Sequence, residues 1–223
     1  MKEKAIVFDS GAIITFAMNG LLDVLEDLKK SFNGYFLITN EVKNEIVDKP
    51  LTIKRFQFEA LRIKDLIDRR ILEFPYKIID KKELSNKTEQ IFDALNHTYF
   101  ARGEFMKIVS KGEISVLALS LLLKEKGIDN IVAIDERTAR LMCENPSNLQ
   151  KIFNYKLHTE VLMKKDISFL RNIKIIRSSE LMYFAYKKGL LHLKDHILEA
   201  LLYAAKYKGC SISFEEIEQM KRL

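Results

Sequence analysis

The sequence predicts an α/β fold built on a parallel sheet, and three observations carry that prediction. Short apolar runs of β-forming residues recur at positions 5–8, 35–38, 128–134 and 173–176, as expected of strands buried on both faces. Stretches with helical periodicity separate them, which is the alternation of parallel α/β proteins. Two of the runs end on an acid, Asp9 and Asp135, where a helix is about to open. Ligands of open α/β sheets collect at the carboxyl ends of strands. With 48% hydrophobic residues in 223, the chain can build one sizeable core.

In chain order, the first run stops at Asp9-Ser10-Gly11, and apolar residues resume at Ala12, Ile13, Ile14 and Phe16. Asp9 reads either as the cap of that helix or as chemistry at a strand end. Residues 15–31 are predicted as one helix with a stripe of Leu21, Leu22, Val24, Leu25 and Leu28. Asn33-Gly34 is a turn signal, followed by the second strand. Thr39-Asn40 caps a helix over 41–49 that Pro50 ends. Within it, Glu45 borders the stripe of Val42 and Ile46, and is also spaced to pair with Lys49 at i,i+4.

Residues 52–70 are predicted as a charged amphipathic helix, 71–80 as extended chain broken by Pro75, and 87–105 as a helix. His97, Tyr99 and Phe100 belong to the packing of the last. The most apolar helix spans 110–127. Ser110 and Glu113 fit a capping box at its start, and Gly127 closes it. The strand 128–134 runs into Asp135-Glu136, where Asp135 serves equally as an N-cap. Residues 145–148 read as a loop and 157–172 as mixed structure. A last strand at 173–176 precedes a helix capped by Ser178 or Ser179. A long helical stretch then follows from 190, and Ser213 and Glu216 form another capping box. This divides the chain into a core domain over 1–189, with insertions near 52–110 and 145–172, and a basic helical extension over 190–223.

Lys+Arg and Asp+Glu balance at 23 each over residues 1–150, whereas residues 151–223 hold 14 against 8. An excess of this kind suits a polyanionic partner. Two helix ends, at 185–189 and 205–209, carry Lys187, Lys188, Lys206 and Lys208 among tyrosines. They read as a nucleic-acid surface or as ordinary helix termination ahead of glycine. Cys143 and Cys210 have neither metal-ligand nor disulfide-framework spacing. No apolar stretch reaches bilayer length, and the first residues have no signal-peptide layout. The expectation is a cytoplasmic protein.

Each acid taken singly has a structural explanation, but together they share a geometry. Asp9 and Asp135 end parallel strands, Glu113 starts the helix leading into the second, and Glu45 lies one turn into the helix after the second strand. Carboxylates brought together repel, and stay ionised only around a cation. Oxygen ligands without Cys or His suit Mg²⁺ or Mn²⁺.

On these stretches the chain resembles the PIN-domain family. The matching segments are VFDSGAIITF, ITNEVKNEIV, KGEISVLALSLLLKEKG and IVAIDERTAR, covering roughly residues 4–142, with IKIIRSSELMYFAYKKGLL added. The resemblance implies a Rossmann-like three-layer α/β/α sandwich and metal-dependent cleavage of RNA. It makes Asp9, Glu45, Glu113 and Asp135 catalytic metal ligands, directly or through water. Ser10 and Thr39 match polar positions beside them. Glu136 stands where the family often has a second Asp, and Arg140 is a structural or phosphate-facing arginine. Implied partners are RNA and a protein, either an antitoxin or an RNA-processing complex, and a homodimer is compatible with the fold. The rival of another class is a catalytically silent RNA-binding or assembly module. A phosphatase of the haloacid-dehalogenase kind needs an acid where Gly11 stands. A zinc site on His192 and His196, with Asp195 where an H-x-x-E-H motif has Glu, lacks a third ligand.

Overall fold

The computed structural model describes residues 3–191 and 197–223. The first apolar run is β1 (Lys4–Phe8), buried from Ala5 onward. It is followed by α1 (Ser10–Met18), α2 (Leu22–Ser31) and β2 (Tyr35–Leu37). The next helical stretch has three parts: α3 (Asn40–Lys43), a π-helical turn at Asn44–Asp48, and α4 (Lys49–Leu51). Then come α5 (Gln57–Asp68) and α6 (Lys81–Asn96), the strands β3 (Tyr99–Ala101) and β4 (Glu104–Phe105), and α7 (Lys111–Glu125). The chain continues through β5 (Asp129–Ala133), α8 (Arg137–Glu144), α9 (Pro146–Leu157), β6 (Leu162–Met163) and β7 (Ile175–Ile176). It ends in α10 (Ser178–Lys187), α11 (Ile197–Tyr207) and α12 (Phe214–Arg222).

The four predicted strands form one parallel sheet in the order β2-β1-β5-β7. Phe8 stands opposite Ala133, and the next amide, Asp9 N–H, donates to the Ala133 carbonyl at 3.0 Å. The chain leaves β1 for β2 on one side and later returns to β5 on the other. Such a reversal opens a crevice at the carboxyl ends of the two strands. The sheet is covered by α7, where Ile114, Val116, Leu117, Ala118, Leu119, Leu122 and Leu123 are all buried. Each of the Val, Leu and Ile side chains among them contributes about 1.5–3 kcal/mol when fully buried.

Several elements depart from the sequence reading, each for a local reason. The helix predicted over 15–31 is two helices, because the chain turns at Gly20 with φ of +71°. Pro50 does not end its helix. It lies inside the continuous helical stretch, just after the π-helical turn, and the helix runs on to Leu51. The helix predicted over 87–105 stops at Asn96. The chain then makes a hairpin turn at Arg102-Gly103, both at positive φ, and β3 pairs with β4 and β6 in a second, antiparallel sheet. The loop predicted at 145–148 is the start of α9, with Asn145 as cap and Pro146 in the first turn. The cap of α10 is Arg177, not Ser178 or Ser179.

The C-terminal helices share the core, since Leu201, Leu202, Ala205, Ile217 and Met220 join the same buried apolar cluster. Polar ties lock them to the carboxyl edge of β5. The Ser211 amide donates to the Asp135 carbonyl at 3.1 Å. Arg177 donates to Glu180 and to Glu216, at 2.7 Å each, and to the Ser211 carbonyl at 3.3 Å. The basic excess does not belong to this part. Residues 151–189 hold nine Lys+Arg and three Asp+Glu, whereas 190–223 hold five of each. The extension is therefore neutral, and the predicted basic character belongs to the segment before it. His192, Asp195 and His196 lie outside the described residues. No helix among the described residues is long and apolar enough to cross a membrane.

Candidate functional site

Asp9 caps α1 and is 3% exposed. Its Oδ2 accepts from the Gly11 amide at 3.2 Å, and its Oδ1 is buried without a hydrogen-bond partner. Burial pushes its carboxyl up to about 7, with the charges of Glu113 and Glu45 adding to the effect. The Gly11 and Ser10 amides pull the other way. Ser10, in the first turn of α1, thus acts on Asp9 through its backbone.

Glu45 lies in the π-helical turn. A wider turn of this kind is rare and is often found at functional sites. Glu45 makes no ion pair among the described residues, so the Lys49 partnership read from the spacing does not form. Its carboxylate rests on Gly112 in the first turn of α7. A Cβ at Gly112 would lie 2.7 and 2.9 Å from the two Glu45 oxygens.

Glu113 makes the predicted capping box. Its Oε2 accepts from the Ser110 amide at 2.6 Å, and its own amide donates to Ser110 Oγ at 3.2 Å. Burial raises its pKa, and the charges of Glu136 and Glu45 add to the rise. Cap and site are therefore not alternatives here: the cap fixes one oxygen, and the same carboxylate still feels three other acids.

Asp135 is placed differently from the prediction. It is not the cap of α8; Glu136 is, through its Oε2 and the Ala139 amide at 2.8 Å. Asp135 is 2% exposed and its carboxylate is fully engaged. Oδ1 accepts from the Ser178 amide at 2.8 Å. Oδ2 accepts from Ser178 Oγ at 2.7 Å and from Thr15 Oγ1 at 2.8 Å. It joins β5, α1 and α10 at one point. The Asp9 and Asp135 side chains are near neighbours across Gly11, whose added Cβ would lie 3.4 Å from Asp9 Oδ2 and 3.8 Å from Asp135 Cβ.

Thr39 is buried, caps α3 and shares a 2.7 Å hydroxyl contact with Ser115, tying α3 to α7. Arg140 serves structure. Its guanidinium donates to the Ser211 carbonyl at 3.3 Å and so ties α8 to the C-terminal segment. The four candidate lysines do not form one patch. Lys187 and Lys188 lie over the rings of Tyr183 and Phe184 at the far end of α10. That is roughly 15 Å along the helix from Ser178. Lys206 donates to the Ile212 carbonyl, and Lys208 is exposed.

Sequence reasoning missed Thr15, Ser178 and Gly112. Ser178 was masked by its suitability as a cap, but Gly112 left a signal. A glycine inside a helix costs about 1 kcal/mol against alanine and usually has a packing or functional reason.

Asp9, Glu45 and Glu113 thus bring hard carboxylate oxygens toward one place, with one buried oxygen unpartnered. That donor set fits a divalent cation such as Mg²⁺ or Mn²⁺. Among the described residues, no three His, Cys, Asp or Glu side chains are already gathered closely enough to hold one.

Gly112→Ala tests the arrangement. Alanine is the better helix former, so stability should hold or rise by up to about 1 kcal/mol. The Glu45 carboxylate must move, and Mn²⁺ affinity by calorimetry should fall by roughly 10-fold. Unchanged affinity would remove Glu45 from the site.

Comparison of the chain with protein-family models, with curated proteins and with solved structures finds no match in any of the three. The functional reading is carried by the residues themselves.

Proposed function

We propose that this chain is a divalent-metal-dependent endoribonuclease of the PIN type, a cytoplasmic enzyme with a three-layer α/β/α arrangement around its parallel sheet. The observation that carries the reading is Asp9. It is a buried carboxylate with an unpartnered oxygen, at the sheet's reversal point, whose ionisation Glu113 and Glu45 both oppose. A group that is costly to ionise alone is readily ionised beside a cation.

Asp9, Glu45 and Glu113 would hold Mg²⁺ or Mn²⁺. A bound ion of this kind acidifies water and stabilises charge on phosphate oxygens. Asp135 fixes the floor by holding α1 and α10 to β5. The Ser110 amide steadies Glu113, and Gly112 leaves room for Glu45. Glu136, exposed at the rim, adds to the negative field that a cation would relieve.

The silent-module reading has one observation in its favour: the carboxylates are not gathered into a ready-made clasp. Mn²⁺ titration by calorimetry, paired with cleavage of a fluorescent RNA oligonucleotide, separates the two. Saturable binding and Mn²⁺-dependent cleavage, both lost in Asp9→Asn, are expected. RNA binding without either would favour the silent module.

A further inference from the structure

Tyr207 ends α11 and is 72% exposed. Its ring stacks on that of Tyr203 one turn earlier, with centroids 6.3 Å apart and planes at 22°. Tyr203 in turn meets Phe214, the first residue of α12, at 5.9 Å. The Lys206 ammonium lies 4.4 Å from the Phe214 centroid. The ends of α11 and α12 therefore present a row of rings. Its inner members are held in place, and its outer face, on Tyr207, is bare.

A short segment tethers the row to Asp135, at the carboxyl end of β5. Tyr207 is four residues from Ser211, whose amide donates to the Asp135 carbonyl. The chain can put at most about 14 Å between Tyr207 and Ser211. Charge alone does not bring a polyanion here, because residues 190–223 are neutral and the crevice is acidic. Ring faces are indifferent to that charge, and every nucleobase has a π-face to lay on them. Lys208 is exposed, makes no ion pair among the described residues, and adds one phosphate contact beside the rings. A duplex keeps its base faces covered, so the row selects an unpaired strand.

We propose that Tyr207 is a base-stacking residue of a single-stranded nucleic-acid site at the ends of α11 and α12, holding the strand beside the crevice. What the strand is held for rests on the ribonuclease reading above; the stacking itself does not.

The chain contains no tryptophan, so Tyr207→Trp supplies a sole reporter at an exposed position. With EDTA present, a single-stranded RNA oligonucleotide should quench its fluorescence saturably, and the matching duplex should not. By fluorescence anisotropy, Tyr207→Ala should bind the single strand roughly 5- to 150-fold more weakly, the factor that one stacked base supplies. Tyr207→Phe, which keeps the ring face, should bind as the wild type does.

Equal affinity in Tyr207→Ala, or no quenching in Tyr207→Trp, overturns the proposal, even if the wild type cleaves RNA. Tyr207-dependent binding without any cleavage upholds it and sinks the ribonuclease reading instead. A Tyr207→Ala variant that loses a co-purifying protein while no RNA binds would assign the row to a protein partner, and the proposal falls.

Discussion

In divalent-free buffer near pH 8, Asp9→Asn should melt above the wild type by roughly 5–10 °C, and with Mn²⁺ restored it should cleave no RNA. The Asp9 carboxyl is raised from 3.8 to about 7 in the folded chain, by burial first and by Glu113 and Glu45 next. Between those two values the folded protein keeps a proton that the unfolded chain gives up. Wild-type stability therefore falls as pH rises through that window and levels off above it. The interval corresponds to something on the order of 4 kcal/mol. A chain of this size gains about 2–4 °C per kcal/mol. Asparagine keeps an acceptor for the Gly11 amide and removes the charge. Its new N–H₂ has no assured partner, which trims the gain.

Two controls give the prediction its force. At about pH 4 the two proteins should melt together, because Asp9 is protonated in the folded wild type. With Mn²⁺ at about pH 8 the wild type should rise and the variant should not, since a ligand of the folded state stabilises by mass action. Melting curves by circular dichroism at several pH values measure all three. If the variant melts no higher than the wild type at any pH, Asp9 is an ordinary cap and the site loses its centre.

How far the sequence shows this arrangement depends on the range of each signal. The strands were legible because β1, β2 and β5 are short apolar runs with acids or turns at their ends. The α7 capping box was legible because Ser110 and Glu113 lie three residues apart. The hairpin Tyr99–Phe105 was hidden, because its aromatic residues continue the apolar pattern of α6 and the turn rests on Arg102, a residue with little preference for positive φ. Asp135 reads from the sequence as a cap or as a metal ligand, yet the partners of its carboxylate are 43 and 120 residues away. No spacing argument sees a contact of that length. The neutrality of residues 190–223 is legible in their five basic and five acidic residues, and the basic excess belongs to the lysine-rich stretch before them.

Asp135 is the second place where a large effect is expected, and its sign is opposite to that at Asp9. Asp135→Ala should destabilise the fold by several kcal/mol. Three donors, the Ser178 amide, Ser178 Oγ and Thr15 Oγ1, point at its carboxylate in a buried joint. Each buried polar group left without its partner costs about 1–3 kcal/mol. Thr15 is the least affected, because its hydroxyl can turn to the Gly11 carbonyl, 2.9 Å away. The Ser178 amide cannot turn, and it opens α10, so the loss should be felt where α10 meets α1. Asp135→Asn is milder. The amide oxygen still accepts from Ser178 N–H, and its N–H₂ can donate to Thr15 Oγ1 and Ser178 Oγ once those hydroxyls rotate. About 1 kcal/mol is expected, enough to leave a folded protein. Urea unfolding of the two variants beside Asp9→Asn therefore divides the acids by role. Relief at position 9 and collapse at position 135 mark one as a group waiting for a cation and the other as the joint that positions it. A folded Asp135→Asn that binds Mn²⁺ like the wild type keeps Asp135 out of direct ligation, whereas loss of binding in that variant returns it to the ligand set that the sequence pattern implies.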